Sequence, residues 1–127
     1  MLIAARILIG LFALVTAGSA AAWMLVPEVM GTTTGSSFST IAALSNARGD
    51  MGGLFLALCV FSVLGIGKGP NAPGWLAALA ITTAAVALGR LLSIWLDGFD
   101  VAILMPLGIE LLVVVVALTL RRTLMRS

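Results

Sequence analysis

Residues 75–118 read WLAALAITTAAVALGRLLSIWLDGFDVAILMPLGIELLVVVVAL. In this stretch, the short polar turn Asp97-Gly98-Phe99-Asp100 joins two apolar runs. A membrane-spanning helix needs roughly 20 predominantly apolar residues, and each run comes close to that length. Because a short connection makes neighbouring helices antiparallel, the stretch predicts a helical hairpin that crosses a membrane twice.

The rest of the chain repeats this pattern. Apolar stretches also cover Ile7 to Val26 and Met51 to Ile66, and the latter extends toward Ser39 if Arg48 and Asp50 are included. We therefore predict a single all-α domain over residues 1–127, an antiparallel four-transmembrane-helix bundle. The predicted helices cover residues 3–26, 39–66, 74–96 and 100–121, and an outer loop covers residues 27–38. The first run is longer than the apolar core of a signal peptide, so we expect it to be a retained helix.

Composition agrees with a membrane protein. Of the 127 residues, 61% are hydrophobic and 9% are charged, and the mean hydropathy is +1.22. Soluble domains carry about 25% charged residues, so this composition excludes an ordinary soluble domain. The net charge of +2 does not indicate nucleic-acid binding, because most of the basic residues flank the predicted spans.

These basic residues predict the orientation. Five of the seven basic residues flank the spans at one membrane face: Arg6, Lys68, Arg121, Arg122 and Arg126. Cytoplasmic loops carry an excess of Lys and Arg, so both termini are expected in the cytoplasm. The expected location is the bacterial inner membrane, with multiple passes.

Missing residue types exclude several chemistries. The chain has no His and a single cysteine, Cys59, which argues against bis-His haem, most zinc chemistry and a paired-cysteine oxidoreductase. We expect no cofactor, no metal and no catalytic residue. The three tryptophans, Trp23, Trp75 and Trp95, lie near predicted span ends, as expected of an aromatic belt at the membrane interfaces.

Two charges lie inside the predicted spans, Arg90 in the third and Glu110 in the fourth. Charged side chains within a membrane are costly, and they usually pair with each other or mark a functional site. Glu110 lies about 15 Å below the outer turn at 1.5 Å per residue, and Arg90 lies within about 5 Å of the same depth. We expect an ion pair between them, or a water-bridged equivalent, which either locks two helices together or belongs to a site.

Other polar residues lie on the outer side of this pair. Arg90, Ser93 and Asp97 share one face of the third helix because they are spaced three and four residues apart. Arg48 and Asp50 enter the membrane from the same side, at the start of the second helix. The predicted outward-facing cluster, either a ligand-binding site or a set of ion pairs, contains Arg48, Asp50, Arg90, Ser93, Asp97 and Glu110.

Small residues predict where the helices touch. Helices in lipid approach closely where small side chains line one face. The predicted packing positions are Gly49, Gly52, Gly53 and Gly89. The Gly52-Gly53 pair also weakens the second helix locally, which allows either a bend or the close approach of a ligand.

The segment Arg48-Gly-Asp-Met-Gly-Gly53 resembles the Arg-x-x-x-Gly-Gly signature of a bacterial family of small four-helix membrane proteins of unknown function. Gly89-Arg90, Asp97-Gly98 and Glu110 also fit that family, and the resemblance covers roughly residues 40–122. The resemblance implies the four-helix membrane fold. It implies no particular activity.

Three functions fit these observations. We expect a non-catalytic membrane protein that is an accessory subunit of a larger membrane complex or binds a hydrophobic ligand. The alternative is a small proton-coupled transporter, as a monomer or a dimer, in which a desolvated Glu110 carries the proton. An enzyme acting on lipid through Asp50, Asp97 and Glu110 has no spacing in its favour. The expected partners are the lipid bilayer and a larger membrane complex or a second copy of the chain, with no nucleic acid.

Overall fold

The computed structural model describes residues 2–126, which are mostly helical and contain no strand. The α-helices are α1 (Leu2–Leu25), α2 (Pro27–Thr33), α3 (Ile41–Asn46), α4 (Gly53–Ile66), α5 (Ala72–Asp97) and α6 (Leu104–Leu124). A π-helical segment, Ala47–Gly52, joins α3 to α4, and a 3₁₀ turn, Val101–Ile103, precedes α6. The all-α prediction is confirmed.

Four helical stretches are long and apolar enough to cross a membrane: Leu2–Leu25, Ile41–Ile66, Ala72–Asp97 and Val101–Leu124. Their ends lie within three residues of the predicted helix ends. The chain divides into two compact units, which are described separately. Unit 1 contains residues 1–12 and 61–127, and unit 2 contains residues 13–60.

In unit 1, α5 and α6 form the predicted hairpin. The turn between them begins at Gly98, whose φ of 104° is a backbone conformation that glycine adopts without steric cost. Asp100 then caps the 3₁₀ turn, because its side chain accepts a hydrogen bond from the Ala102 backbone N–H at 2.8 Å. Buried side chains recur every three or four residues along both helices: Leu76, Leu79, Ala80, Thr83 and Ala87 on α5, and Leu107, Glu110, Val113, Ala117 and Leu120 on α6.

The end of α4 packs against the start of α5 in the same unit. An added Cβ at Gly65 would lie 2.8 Å from Leu76 Cδ2, and Leu76 is fully buried. The rings of Phe61 and Trp75 stack with their centroids 5.9 Å apart. Gly65 therefore allows the two helices to approach closely, and Trp75 has a stacking partner in addition to its place near a span end.

In unit 2, a short helix, α2, occupies much of the loop predicted for residues 27–38. Pro27 occupies the first turn, where its missing N–H is not needed, and Glu28 in that turn complements the helix dipole. The helix ends at Thr33, Gly35 follows it with a φ of 75°, and the Ser36 N–H donates to the Gly31 carbonyl at 2.7 Å. This is a glycine-dependent helix ending. The loop prediction is wrong over Pro27–Thr33, because Gly and Thr, which are typical of loops, are here part of a helix that Pro27 begins.

Unit 2 also has a buried aromatic contact. Trp23 is only 4% exposed, and its ring meets the ring of Phe38 edge-on at 6.4 Å. Trp23 is therefore a packing residue near the end of its span, and its place in an aromatic belt stays a prediction. The Thr40 side chain caps α3 by accepting a hydrogen bond from the Ala43 backbone N–H at 3.1 Å.

Candidate functional site

Arg90 on α5 and Glu110 on α6 contact each other within unit 1. Arg90 Nε donates a hydrogen bond to Glu110 Oε1 at 2.7 Å. The Glu110 side chain is 11% exposed and the Arg90 side chain is 38% exposed. Hydrogen bonds between two charged groups are shorter and stronger than those between neutral groups. The pair therefore links α5 to α6 at one position along the hairpin.

The second carboxylate oxygen of Glu110 is buried and has no hydrogen-bond partner within residues 2–126. The contact is therefore not the two-pronged arrangement that Arg and carboxylate groups often adopt. A buried acceptor without a partner costs about 1–3 kcal/mol, and such atoms call for a specific explanation, such as a water or an ion. Glu110 Oε2 is thus a free acceptor inside the hairpin unit.

A second polar contact lies toward the C-terminal end of α5. Ser93 Oγ donates to Asp97 Oδ2 at 2.8 Å, across one exposed helical turn. Asp97 lies about 10 Å along the helix axis from Arg90. The Ser93–Asp97 bond and the Arg90–Glu110 pair are therefore two separate contacts on one face of α5.

Arg48 and Asp50 belong to unit 2, on the π-helical segment. Arg48 Nε donates to the Met24 backbone carbonyl at 3.0 Å. Met24 lies in the last turn of α1, where carbonyl groups have no partner inside the helix and a positive charge is favourable. Arg48 therefore caps the C-terminal end of α1. The six-residue cluster predicted from the sequence divides between the two units, four residues in unit 1 and two in unit 2, and the cluster as a whole stays a prediction.

The four predicted packing glycines differ in their surroundings. An added Cβ at Gly52 would lie 2.7 Å from Met24 Cγ, within unit 2. At Gly49, Gly53 and Gly89 an added Cβ meets nothing within 4 Å. Gly52 alone of these four therefore has a close neighbour in its own unit among the described residues. Gly65, which was not predicted as a packing position, also has a close neighbour, Leu76.

Unit 2 contains a half-open cavity of about 470 Å³ beside the π-helical segment. Its lining is mixed, with the rings of Trp23 and Phe38, the aliphatic side chains of Ala43, Ala47 and Met51, and the polar side chains of Thr34, Ser36, Asn46 and Asp50. The π-helix is rare, and it occurs frequently at functional sites. Small-molecule sites typically measure about 300–1,000 Å³ and combine an apolar wall with few polar groups. This cavity has that size and composition.

Sequence reasoning included Asp50 in a site but did not find this cavity. The cavity lining combines Trp23 of α1 and the loop after α2 with residues of α3 and of the π-helical segment, and this combination does not follow from apolar periodicity. The co-occurrence of Trp23, Phe38 and Met51 beside a polar loop was a signal of an aromatic-lined pocket. Within residues 2–126 there is no group of three or more His, Cys, Asp or Glu side chains that could hold a metal ion.

The apolar spans and these sites define a class of protein. Large apolar side chains are exposed along the spans, including Ile3, Leu14, Ile81, Leu88, Met105 and Val115. Soluble proteins rarely expose apolar surface of this extent. The chain is a small, multi-pass helical membrane protein in contact with the lipid bilayer.

Comparison with known proteins gives the family. The sequence matches the family described as "Domain of unknown function (DUF4345)" over residues 4–121. The match covers most of the 127 residues, so the chain belongs to this family. No curated protein matches the chain. No solved structure matches it either.

Proposed function

We propose that the protein is a non-catalytic membrane module that binds a hydrophobic ligand in the cavity of unit 2. The observation that carries the proposal is the cavity itself, about 470 Å³ in volume and walled by Trp23 and Phe38. Aromatic walls favour an apolar ligand body. A ligand of this kind reaches the cavity from the bilayer that surrounds the chain.

The polar side of the cavity indicates the chemistry of the ligand's head. Asp50 and Asn46 lie on adjacent turns beside the cavity, and Asp50 has no ion-pair partner within the described residues. A carboxylate accepts hydrogen bonds and does not donate them. The ligand therefore combines an apolar body with a hydrogen-bond donor or a positive charge at one end.

A binding role fits this lining better than a catalytic one. The chain has no His, and the cavity lining contains one carboxylate and no cysteine. General acid–base catalysis and nucleophilic catalysis require a positioned proton donor or acceptor beside the reacting group, and nucleophiles are usually activated by a second residue. Asp50 lacks such a second residue in the lining.

Proton-coupled transport through Glu110 has one observation in its favour, the buried and unpartnered Oε2. The other oxygen already binds the Arg90 guanidinium at 2.7 Å. A carrier cycle would require this pair to open each time the proton is exchanged. The pair therefore fits a helix lock better than a proton carrier, and the accessory-subunit role stays a prediction without a specific contact behind it.

The test uses a cavity-filling variant with a matched control. Ala43 lines the cavity, whereas its neighbour Ala42 is exposed and does not. Protein purified from its own membranes in mild detergent is extracted with organic solvent, and the extract is analysed by mass spectrometry. We expect one small amphipathic species at near-equimolar amount in the wild type and in Ala42→Trp, and a loss of at least tenfold in Ala43→Trp.

Asp50→Asn tests the head-group contact. We expect it to reduce retention of the same species, while Asp97→Asn, which changes a carboxylate of unit 1, leaves retention unchanged. Wild-type protein that carries only bulk bilayer lipid, or an Ala43→Trp variant that retains the species as well as Ala42→Trp does, would contradict the proposal.

A further inference from the structure

Unit 1 contains a second cavity, at its basic end. The cavity measures about 250 Å³ and is lined by Arg6 of α1, Lys68 and the loop between α4 and α5, the first residues of α5, and Leu124 of α6. One water needs roughly 10–15 Å³ of such space. The cavity therefore has room for an anionic group considerably larger than a water molecule.

Arg6 provides an observation that points to a missing partner. Its Nε atom is buried and has no hydrogen-bond partner within residues 2–126. The Nε atom of Arg121, one turn before Leu124 on α6, is also buried and without a hydrogen-bond partner within residues 2–126. A charged donor that is buried without an acceptor is costly, so two such donors near one end of the unit call for an acceptor that the described chain does not supply.

The described carboxylates of unit 1 lie far from this end. Asp97 is at the opposite end of α5, about 37 Å along the helix axis from Ala72. Glu110 is about 21 Å along α6 from Leu124 and is paired with Arg90. The positive charge of Arg6 and Lys68 is therefore not balanced by a carboxylate side chain near the cavity.

The rest of the lining adds to the preference for an anion. Ala72 and Pro73 belong to the first turn of α5, and a helix N-terminus carries a partial positive charge. Leu124 supplies an apolar wall on the other side. Arginine and lysine side chains are the usual phosphate-binding residues of proteins.

We propose that the cavity between Arg6, Lys68 and Leu124 is a binding site for a phosphate group. Arg6 Nε donates to a phosphate oxygen, Lys68 supplies a second positive charge from the exposed loop, and Leu124 faces the apolar part of an esterified ligand. The phosphate comes either from the headgroup of an anionic phospholipid or from the free anion, and the experiment distinguishes these sources. The site is independent of the cavity in unit 2.

The lipid arm compares two ligands with the same acyl chains. Delipidated protein in mild detergent is titrated with dioleoylphosphatidic acid and, separately, with dioleoylglycerol, and the bound species are counted by native mass spectrometry. We expect dioleoylphosphatidic acid to bind with a stoichiometry of one and dioleoylglycerol to bind at least tenfold more weakly. Equal binding of the two lipids would overturn the proposal.

The variants separate a built site from general surface charge. Arg6→Gln and Lys68→Gln are each expected to weaken the binding of dioleoylphosphatidic acid about tenfold, the loss of about one charged hydrogen bond. Lys68→Arg, which keeps the positive charge, is expected to bind dioleoylphosphatidic acid as tightly as the wild type does. Arg122→Gln and Arg126→Gln remove the same charge from exposed positions outside the cavity and are expected to change binding by less than twofold.

Lys68 lies in an exposed loop, so its variant tests the site even if Arg6→Gln fails to fold. Equal weakening by all four glutamine variants would overturn the proposal. In the last arm, inorganic phosphate is added as a competitor. Competition at millimolar phosphate that is lost in Lys68→Gln identifies the free anion as a ligand of this site. Specific lipid binding without such competition identifies the lipid headgroup as the source.

Discussion

Among the carboxylates, Glu110 is the one whose depth and partner follow most directly from its position in the chain. A helix rises about 1.5 Å per residue, so the depth of Glu110 and the identity of its nearest cation can be calculated from the sequence. The contact with Arg90 at 2.7 Å agrees with that calculation. The unpartnered Oε2 could not be calculated, because it depends on side-chain torsions that are set by packing. The same limit applies to Arg48, whose capping of α1 requires a contact between residues 24 positions apart.

Removing Arg90 and removing Glu110 should lower the free energy of unfolding by different amounts. Arg90→Met leaves a buried carboxylate alone, and we expect it to lower the free energy of unfolding by about 3–5 kcal/mol. Glu110→Gln leaves a half-exposed guanidinium that can turn outward, so its cost should be smaller, about 1–3 kcal/mol. The measurement is reversible unfolding in mixed micelles, followed by circular dichroism.

The double variant Arg90→Met/Glu110→Gln completes the cycle. We expect it to be more stable than Arg90→Met alone, because no charge is then stranded, with a coupling energy of at least about 1 kcal/mol. The exposed pair Ser93→Ala and Asp97→Asn serves as the control and should show a coupling well below about 1 kcal/mol. Additive effects at Arg90 and Glu110 would mean that the pair does not hold the hairpin together.

The long helices were predictable, whereas the short segments between them were not. Apolar runs of span length predict α1, α5 and α6 to within a few residues, because the hydrocarbon core sets the length of a span. Helix α2 is only seven residues long, and helices of that length depend on tertiary contacts more than on propensity. The π-helical segment Ala47–Gly52 likewise has no pattern of its own in the sequence. The cavity of unit 2 is lined by the π-helical segment and by the loop that follows α2, so its shape could not be predicted, although the aromatic residues beside a polar loop were a signal of it.

Two glycines of α4 test how closely this helix packs. An added Cβ at Gly65 meets the buried Leu76 at 2.8 Å, whereas one at Gly53 meets nothing within 4 Å. We expect Gly65→Ala to destabilise the protein by about 1–3 kcal/mol through overpacking. Gly53→Ala should be neutral or should stabilise it by up to about 1 kcal/mol, because alanine favours helix. The same micelle unfolding assay measures both, and equal effects of the two substitutions would contradict the packing of α4 on α5.

Across residues 1–127, the chain combines apolar spans with charges confined to a few positions. Charge asymmetry predicts that Arg6, Lys68 and Arg121 face the cytoplasm, and this orientation stays a prediction. The four apolar stretches make the membrane assignment independent of orientation. Composition alone was sufficient for this assignment, since it depends on the sum over many residues and not on any single contact.

The depth of the Arg90–Glu110 pair tests the membrane assignment and the site together. Single cysteines are introduced in a Cys59→Ser background at Leu111, an exposed neighbour of Glu110, and at Lys68 and Phe99 in the two turns. The protein is spin-labelled in lipid bilayers, and electron paramagnetic resonance measures accessibility to oxygen and to a water-soluble nickel complex. We predict that the label at position 111 is accessible to oxygen and shielded from nickel, with the opposite result at positions 68 and 99. A label at position 111 that nickel reaches as readily as it reaches position 99 would contradict the placement of the pair inside the membrane.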